Sequence, residues 1–308
     1  MKLSLVVPCY NEEKNITLLQ EAIINTFSNC HYDYEVIFID DGSNDSTWNE
    51  LQKIHKEQVC PVKAIRFSRN FGKEAAIFAG LQHTTGDYVS LIDADLQQPP
   101  EIVRSMVNIL DENPEYDVVA AYQEQRSERA LLSFCKKSFY KIINALTNIT
   151  LRSDASDFRT FRKCVADSIV SLGEFHRFSK GLFAWVGFNT YYIPYIANDR
   201  AHGNSKWGFF QLLNYATEGI IGYSTKPLRI ATFLGGLTSF ASMLYLIVVV
   251  LQKLIQGIDI PGYATIIVLI LLLGGMQLFC IGIIGEYVGK AFEQSKYRPV
   301  YITKEILE

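Results

Sequence analysis

Residues 88–101 read YVSLIDADLQQPPE. An apolar, β-favouring run from Tyr88 to Ile92 stops at Asp93-Ala94-Asp95, and Pro99-Pro100 then open a new segment. Proline is a favoured first residue of a helix. Carboxylates at i and i+2 on a strand exit suit one hard divalent cation, Mg2+ or Mn2+, shared with diphosphate oxygens. Gln97 offers a third oxygen.

The same arrangement recurs upstream. Leu3–Pro8, Glu35–Asp40 and Val62–Phe67 are β-like, and Glu13–Phe27, Ser46–Lys56, Lys73–His83 and Glu101–Leu110 have helical spacing. Asp117–Ala121 is β-like again. Strands alternating with helices of this length predict an α/β fold with a mainly parallel, doubly wound sheet. Ligands of such sheets bind beyond the carboxyl ends of the strands. Four polar signatures fall at those ends: Pro8-Cys9-Tyr10-Asn11-Glu12-Glu13, Asp40-Asp41-Gly42-Ser43, Arg69-Asn70-Phe71-Gly72-Lys73 and the acidic triplet.

Pro8, Tyr10 and Glu12 offer an aromatic wall and polar edges to a nucleobase. The carboxylates of Asp40-Asp41 suit a base or ribose, with Gly42 allowing close backbone approach. A turn with a helix cap at Ser43 or Asp45 accounts for the same residues. Arg69 and Lys73 flank Gly72 in a pattern suited to holding a nucleotide, or form a solvated basic loop.

The last quarter of the chain is different. Ile230–Leu251 and Ile260–Gly285 are uncharged over 22 and 26 residues. As helices they reach roughly 33 and 39 Å, enough for a bilayer core of about 30 Å. The short link between them predicts a hairpin with both flanks on one side. Lys226, Arg229, Lys290, Lys296 and Arg298 place those flanks in the cytoplasm. Gly235-Gly236 and Gly274-Gly275 permit close helix packing, within the hairpin or between protomers of a homo-oligomer. Glu286 reads as an interfacial charge. The expected organisation is a cytoplasmic catalytic domain over 1–206, a juxtamembrane amphipathic segment over 207–229, transmembrane helices over about 230–251 and 260–285 within 230–289, and a cytoplasmic tail over 290–308.

Composition narrows the function. The 308 residues are 49% hydrophobic and 20% charged, which excludes disorder. The net charge of −3 gives no basic excess for nucleic acid. Six cysteines without a CxxC pair read as reduced, buried thiols, not as a disulfide framework or zinc site. The first ten residues lack a signal-peptide core. Arg126, Arg129, Lys136 and Lys137 interleave with Leu131, Leu132, Phe134, Phe139, Ile142, Ile143 and Leu146. That pattern fits an amphipathic helix on anionic lipid, its cations meeting a lipid phosphate, or a surface helix packed on the domain.

VPCYNEE, IDDGSND, SRNFGKEAA and DADLQQPPE, in this order and spacing, resemble the family-2 glycosyltransferases of the GT-A fold. The nearer resemblance is to polyprenyl-phosphate glycosyltransferases, the bactoprenol glucosyltransferases and dolichol-phosphate mannose synthases, and the C-terminal hairpin is similar to the bactoprenol type. The four motifs cover the first 100 residues, and later matches run to about residue 207.

The resemblance implies a nucleotide pocket lined by Pro8, Tyr10, Glu12 and Asp41, and a metal held by Asp93, Asp95 and Gln97. It places Asp157 near sugar and acceptor, as a base or as an orienting group. Arg200, Ser205 and Lys206 match the segment that closes over the diphosphate. Asn204-Ser205-Lys206-Trp207 stands where processive synthases carry Gln-x-x-Arg-Trp, which argues against polymer synthesis.

The implied reaction is inverting transfer of one sugar from a nucleotide diphosphate sugar, UDP-glucose or UDP-N-acetylglucosamine, to undecaprenyl phosphate. The product would be a lipid-linked sugar for cell-envelope glycan modification at the plasma membrane. Other readings are transfer to a lipid such as diacylglycerol, or a non-catalytic scaffold that binds a nucleotide sugar.

Overall fold

The computed structural model describes residues 1–124, 144–147, 152, 155–198, 219–256 and 262–308. The first half alternates β1 (Lys2–Cys9), α1 (Ile16–Phe27), β2 (Asp33–Asp40), α2 (Thr47–Glu57), β3 (Val62–Phe67), α3 (Lys73–Gln82), β4 (Tyr88–Leu91), α4 (Pro100–Glu112) and β5 (Val118–Gln123). There follow β6 (Ala155–Arg162), α5 (Lys163–Ser171), α6 (Ser179–Val186) and β7 (Thr190–Tyr195). Two long helices, α7 (Lys226–Gln256) and α8 (Tyr263–Ser295), precede a last strand, β8 (Thr303–Leu307).

All eight strands join one sheet in the order β7-β5-β6-β4-β1-β2-β3-β8. The central strands are buried on both faces and so read as continuous apolar runs, LSLVV and VIFI. Alternation sends Leu3, Leu5, Val7, Val36 and Phe38 to one face, where Leu19, Leu51 and Val103 of α1, α2 and α4 cover them. Val6, Ile37, Ile39 and Ile65 face the other side against Ala76, Val165 and Leu182 of α3, α5 and α6. The register aligns Cys9 with Asp40 and Asp40 with Arg66, so the first three strands end level with one another.

The core β4-β1-β2-β3 is parallel, as expected. The flanks depart from that pattern. β6 runs antiparallel to both β4 and β5, and β8 antiparallel to β3, so the sheet is mixed. A larger departure concerns 290–308, expected as a tail. Helix α8 continues to Ser295, and residues 303–307 return to the eight-stranded sheet as its edge strand. The ring of Tyr301 stacks on Phe67 at 4.7 Å and anchors that return. The strand is short and half-exposed, and its partner lies more than 200 positions upstream, so no local pattern announces it.

Helices α7 and α8 extend past the expected spans of 230–251 and 260–285, because polar turns continue the helix after the apolar run ends. The stretches Lys226–Gln252 and Val268–Ser295 are long and apolar enough to cross a membrane. The two helices pack as a hairpin: the Cys280 thiol reaches the Ala231 carbonyl at 3.7 Å, and Tyr287 donates to the Ser224 carbonyl at 2.6 Å. Phe233, Leu246, Leu271 and Leu278 point outward and are exposed. The foot of α8 is tied to the loop after α5. Gln294 donates to the Gly173 carbonyl and accepts from Phe175 N–H, both at 2.8 Å, and Glu293 meets His176.

Candidate active site

The exits of β1 and β2 are laced together. Asn11, with a left-handed φ of 56°, donates its N–H to Ser43 Oγ and accepts from Asn44 N–H, both at 2.9 Å. Glu12 N–H donates to Thr47 Oγ1 at 2.9 Å, and the Glu12 carboxylate accepts from Asn15 at 2.6 Å. Glu13 accepts from Ser46 N–H, and Asp45 from both the N–H and hydroxyl of Thr47. The N-cap of α2 is Ser46, without a side-chain cap bond, so neither Ser43 nor Asp45 caps the helix; Asp45 closes a turn onto Thr47. Pro8 and Tyr10 stand half-buried beside this lacing.

Asp41 ties the β2 exit to the β3 exit. Its carboxylate accepts from Phe71 N–H at 2.6 Å and Gly72 N–H at 2.9 Å. Burial pushes its pKa up to about 6, against the lowering effect of those two donors. Gly42 makes the approach possible. Its φ is +67°, and a Cβ there would meet the Arg69 carbonyl carbon at 2.4 Å. Asp41 thus fixes the 69–72 loop, where Arg69 lies 4.2 Å over the Phe71 ring.

At the β4 exit, buried Gln98 pins Asp93. Its amide oxygen accepts from Asp93 N–H at 2.8 Å, and its amide nitrogen donates to Asp93 Oδ2 at 2.9 Å. Lys73, the first residue of α3, places Nζ 2.6 Å from Asp93 Oδ1 and 3.7 Å from Asp157 Oδ2. Burial in the cleft would lower the Lys73 pKa, but Asp93 and Asp157 outweigh it and raise it. Burial would raise that of Asp157, but Lys73, Lys180 and Arg159 hold it below the usual carboxylate range. Asp157 is therefore anionic at neutral pH. Its Oδ1 is buried and meets no hydrogen-bond donor among the described residues. Asp95 Oδ1 accepts from Gln97 N–H at 3.2 Å across Leu96, whose φ is 62°.

Among the described residues no three or more His, Cys, Asp or Glu side chains converge as a metal cage. Asp93, Asp95 and Gln97 supply oxygen donors only. With the orphaned Asp157 Oδ1 nearby, this set fits a hard cation that completes its shell with substrate phosphate.

Sequence reasoning passed over Glu74, Ser179 and Lys180. Glu74 accepts from Ser179 N–H at 2.8 Å and from the Ser179 hydroxyl. Burial, and then the Asp157 charge, push its pKa up to about 7. Glu74 lies inside the quoted motif GKEAA, and its charge beside Lys73 was the available signal. Nothing in FHRFSKG marks Ser179 or Lys180 in advance, because the fold alone brings α6 to α3. Arg126, Arg129, Arg200, Ser205 and Lys206 lie outside the described residues.

Residues 4–170 match the family described as glycosyl transferase family 2, and residues 226–291 match the GtrB C-terminal hairpin. The chain is 40% identical to CsbB of Bacillus subtilis (strain 168), provisionally named a glycosyltransferase, over 98% of this chain and 91% of that one. It is 37% identical to the bactoprenol glucosyl transferase of Shigella phage SfV, over 99% of this chain and 98% of the phage protein. Among solved structures, the glucosyl-3-phosphoglycerate synthase of Mycobacterium tuberculosis, crystallised with Mn2+, UDP and phosphoglyceric acid, aligns with a TM-score of 0.49. That alignment has 20% identity and covers 71% of this chain and 76% of the other.

Proposed function

The chain belongs to glycosyl transferase family 2, and on that premise we propose that it moves one glucosyl unit from UDP-glucose to a polyprenyl phosphate, with undecaprenyl phosphate as the acceptor. One observation carries the reading. A site of Asp93, Asp95, Lys73 and Asp157 stands at a sheet edge in a chain that matches a bactoprenol glucosyl transferase from end to end, hairpin included.

Asp93 and Asp95, with Gln97, would hold Mg2+ or Mn2+, and a bound divalent ion supplies Lewis-acid stabilisation of the leaving diphosphate. The pocket between Tyr10, Glu12 and the Asp41-fixed loop takes the nucleotide. Lys73 neutralises Asp93 and Asp157, which keeps two carboxylates in one cleft beside an anionic donor. The nucleophile is an acceptor phosphate oxygen, and a phosphate monoester with a second pKa near 6 is already largely ionised at neutral pH. Asp157, held low by Lys73, is a poor proton acceptor and better suited to orienting sugar or acceptor. Direct displacement by the phosphate oxygen inverts the anomeric carbon. Arg200, Ser205 and Lys206 are assigned to the diphosphate, and Arg126 and Arg129 to the acceptor phosphate, by resemblance alone.

The hairpin spans the plasma membrane with both ends cytoplasmic. Its outward apolar side chains exceed what a soluble surface leaves bare. The start of α7 and the end of α8 both return to the catalytic domain, through Lys226 and through β8, so both flanks of the hairpin lie on the catalytic side. Incubating the full-length protein in detergent with labelled UDP-glucose and an equimolar mixture of undecaprenyl phosphate and diacylglycerol tests the acceptor. A mild-acid-labile glycolipid supports the proposal, whereas an acid-stable one transfers it to diacylglycerol.

A further inference from the structure

Asp40 precedes Asp41 and is fully buried. Its Oδ1 accepts from Ser43 N–H at 2.9 Å, which fixes the Asp41–Ser43 turn. Its Oδ2 accepts no hydrogen bond among the described residues and faces Arg66 Nε at 3.4 Å. A buried carboxylate of this kind keeps its position only while its counter-charge stays in place. What holds that counter-charge is the strand that follows the membrane hairpin. Arg66 pairs with Glu305 across β3 and β8, and its guanidinium lies 3.8 Å from Glu305 Oε1. Glu305 Oε2 accepts from Trp48 Nε1–H at 2.9 Å, and the Arg66 guanidinium lies 5.5 Å from the centre of the Trp48 ring. Trp48 sits in the first turn of α2, directly after the laced loop.

We infer that Glu305, on the strand after the membrane hairpin, is a positioning residue for nucleotide binding, acting through Arg66 and Trp48 on Asp40 and the Asp41–Ser43 turn. The C-terminal strand thereby sets donor affinity from outside the contiguous N-terminal domain. Glu305 is remote from Asp93, Asp95 and Asp157, so its effect falls on donor binding and not on the chemical step. The inference rests on the reading of the Asp41–Ser43 turn as part of the nucleotide pocket.

The test uses full-length protein in detergent, UDP binding by calorimetry, and steady-state transfer from UDP-glucose. Glu305→Gln keeps the shape and removes the charge. It should raise the UDP Kd and the KM for UDP-glucose about fivefold while kcat stays within about twofold. Glu305→Asp should recover part of that loss, and Trp48→Phe, which removes only the Nε1 donor, should reproduce part of it. Lys63→Ala breaks the ion pair to Glu308 on the same strand pair and should leave both constants unchanged. Unchanged UDP affinity in Glu305→Gln and Trp48→Phe overturns the inference. Equal losses in Lys63→Ala also overturn it, because the strand would then act through edge stability alone. Wild-type protein that binds no UDP overturns the pocket reading and this inference with it, an outcome distinct from the other two.

Discussion

Lys73 Nζ lies 2.6 Å from Asp93 Oδ1, so the cation that opens α3 closes on the first acid of the strand-exit triplet. The same ammonium reaches Asp157 at 3.7 Å, which makes it the bridge between two carboxylates in one cleft. Lys73→Met would leave those acids unneutralised and raise the pKa of Asp157. We expect kcat/KM to fall by about 100-fold or more with the circular-dichroism spectrum unchanged, as for loss of a preorganised electrostatic group. Near-wild-type turnover would remove Lys73 from the machinery.

Asp95→Asn should cost activity on a similar scale, about 100-fold, because a carboxylate is exchanged for a weaker metal donor. EDTA should abolish transfer in the wild type, with Mg2+ or Mn2+ restoring it. Full turnover of Asp95→Asn in EDTA contradicts the assigned metal role.

Glu74 gives a pH signature. Its pKa rises from 4.5 to about 7 on folding, so between those values the folded chain binds more protons than the unfolded one. Stability from this group is complete below about pH 4.5 and is lost as pH rises through 7. Glu74→Gln keeps an acceptor for Ser179 and removes the charge. Its thermal midpoint should exceed the wild type by roughly 2–4 °C at pH 8, with no gain at pH 4.5. Scans at the two pH values check this, and an equal shift at both rules out the titration account.

Gly42 tests the loop lacing. A methyl group at φ +67° would strike the Arg69 backbone and push the 69–72 loop away from Asp41. Gly42→Ala should destabilise the fold by about 2 kcal/mol and weaken UDP binding about tenfold, measured by denaturant melts and calorimetry. Wild-type affinity in this variant would show that the close approach is dispensable.

The parallel core was legible because its strands are short apolar runs ending in polar motifs and separated by single helices, although β4 pairs with distant β1. Lys73, Asp93 and Asp157 were each readable as candidates, yet the bridge among them required the fold. The spacing of β4 and β6 says nothing of Asp157 approaching α3 until the strands are paired antiparallel. Glu74 and Ser179 were missed for the same reason, since their contact joins α3 to α6 across more than 100 residues. β8 was missed because a five-residue, half-exposed edge strand carries almost no periodic signal, and the apolar hairpin before it suggests that the catalytic domain is finished.

The most direct measurement is transfer of labelled glucose from UDP-glucose to undecaprenyl phosphate by purified wild-type protein and by Asp93→Asn, each with Mn2+ and with EDTA. The account predicts a mild-acid-labile glucosyl lipid from the wild type with Mn2+ and almost none in the other three arms. Lipid product formed equally in all four arms, or no product from a wild type that binds UDP normally, would contradict it.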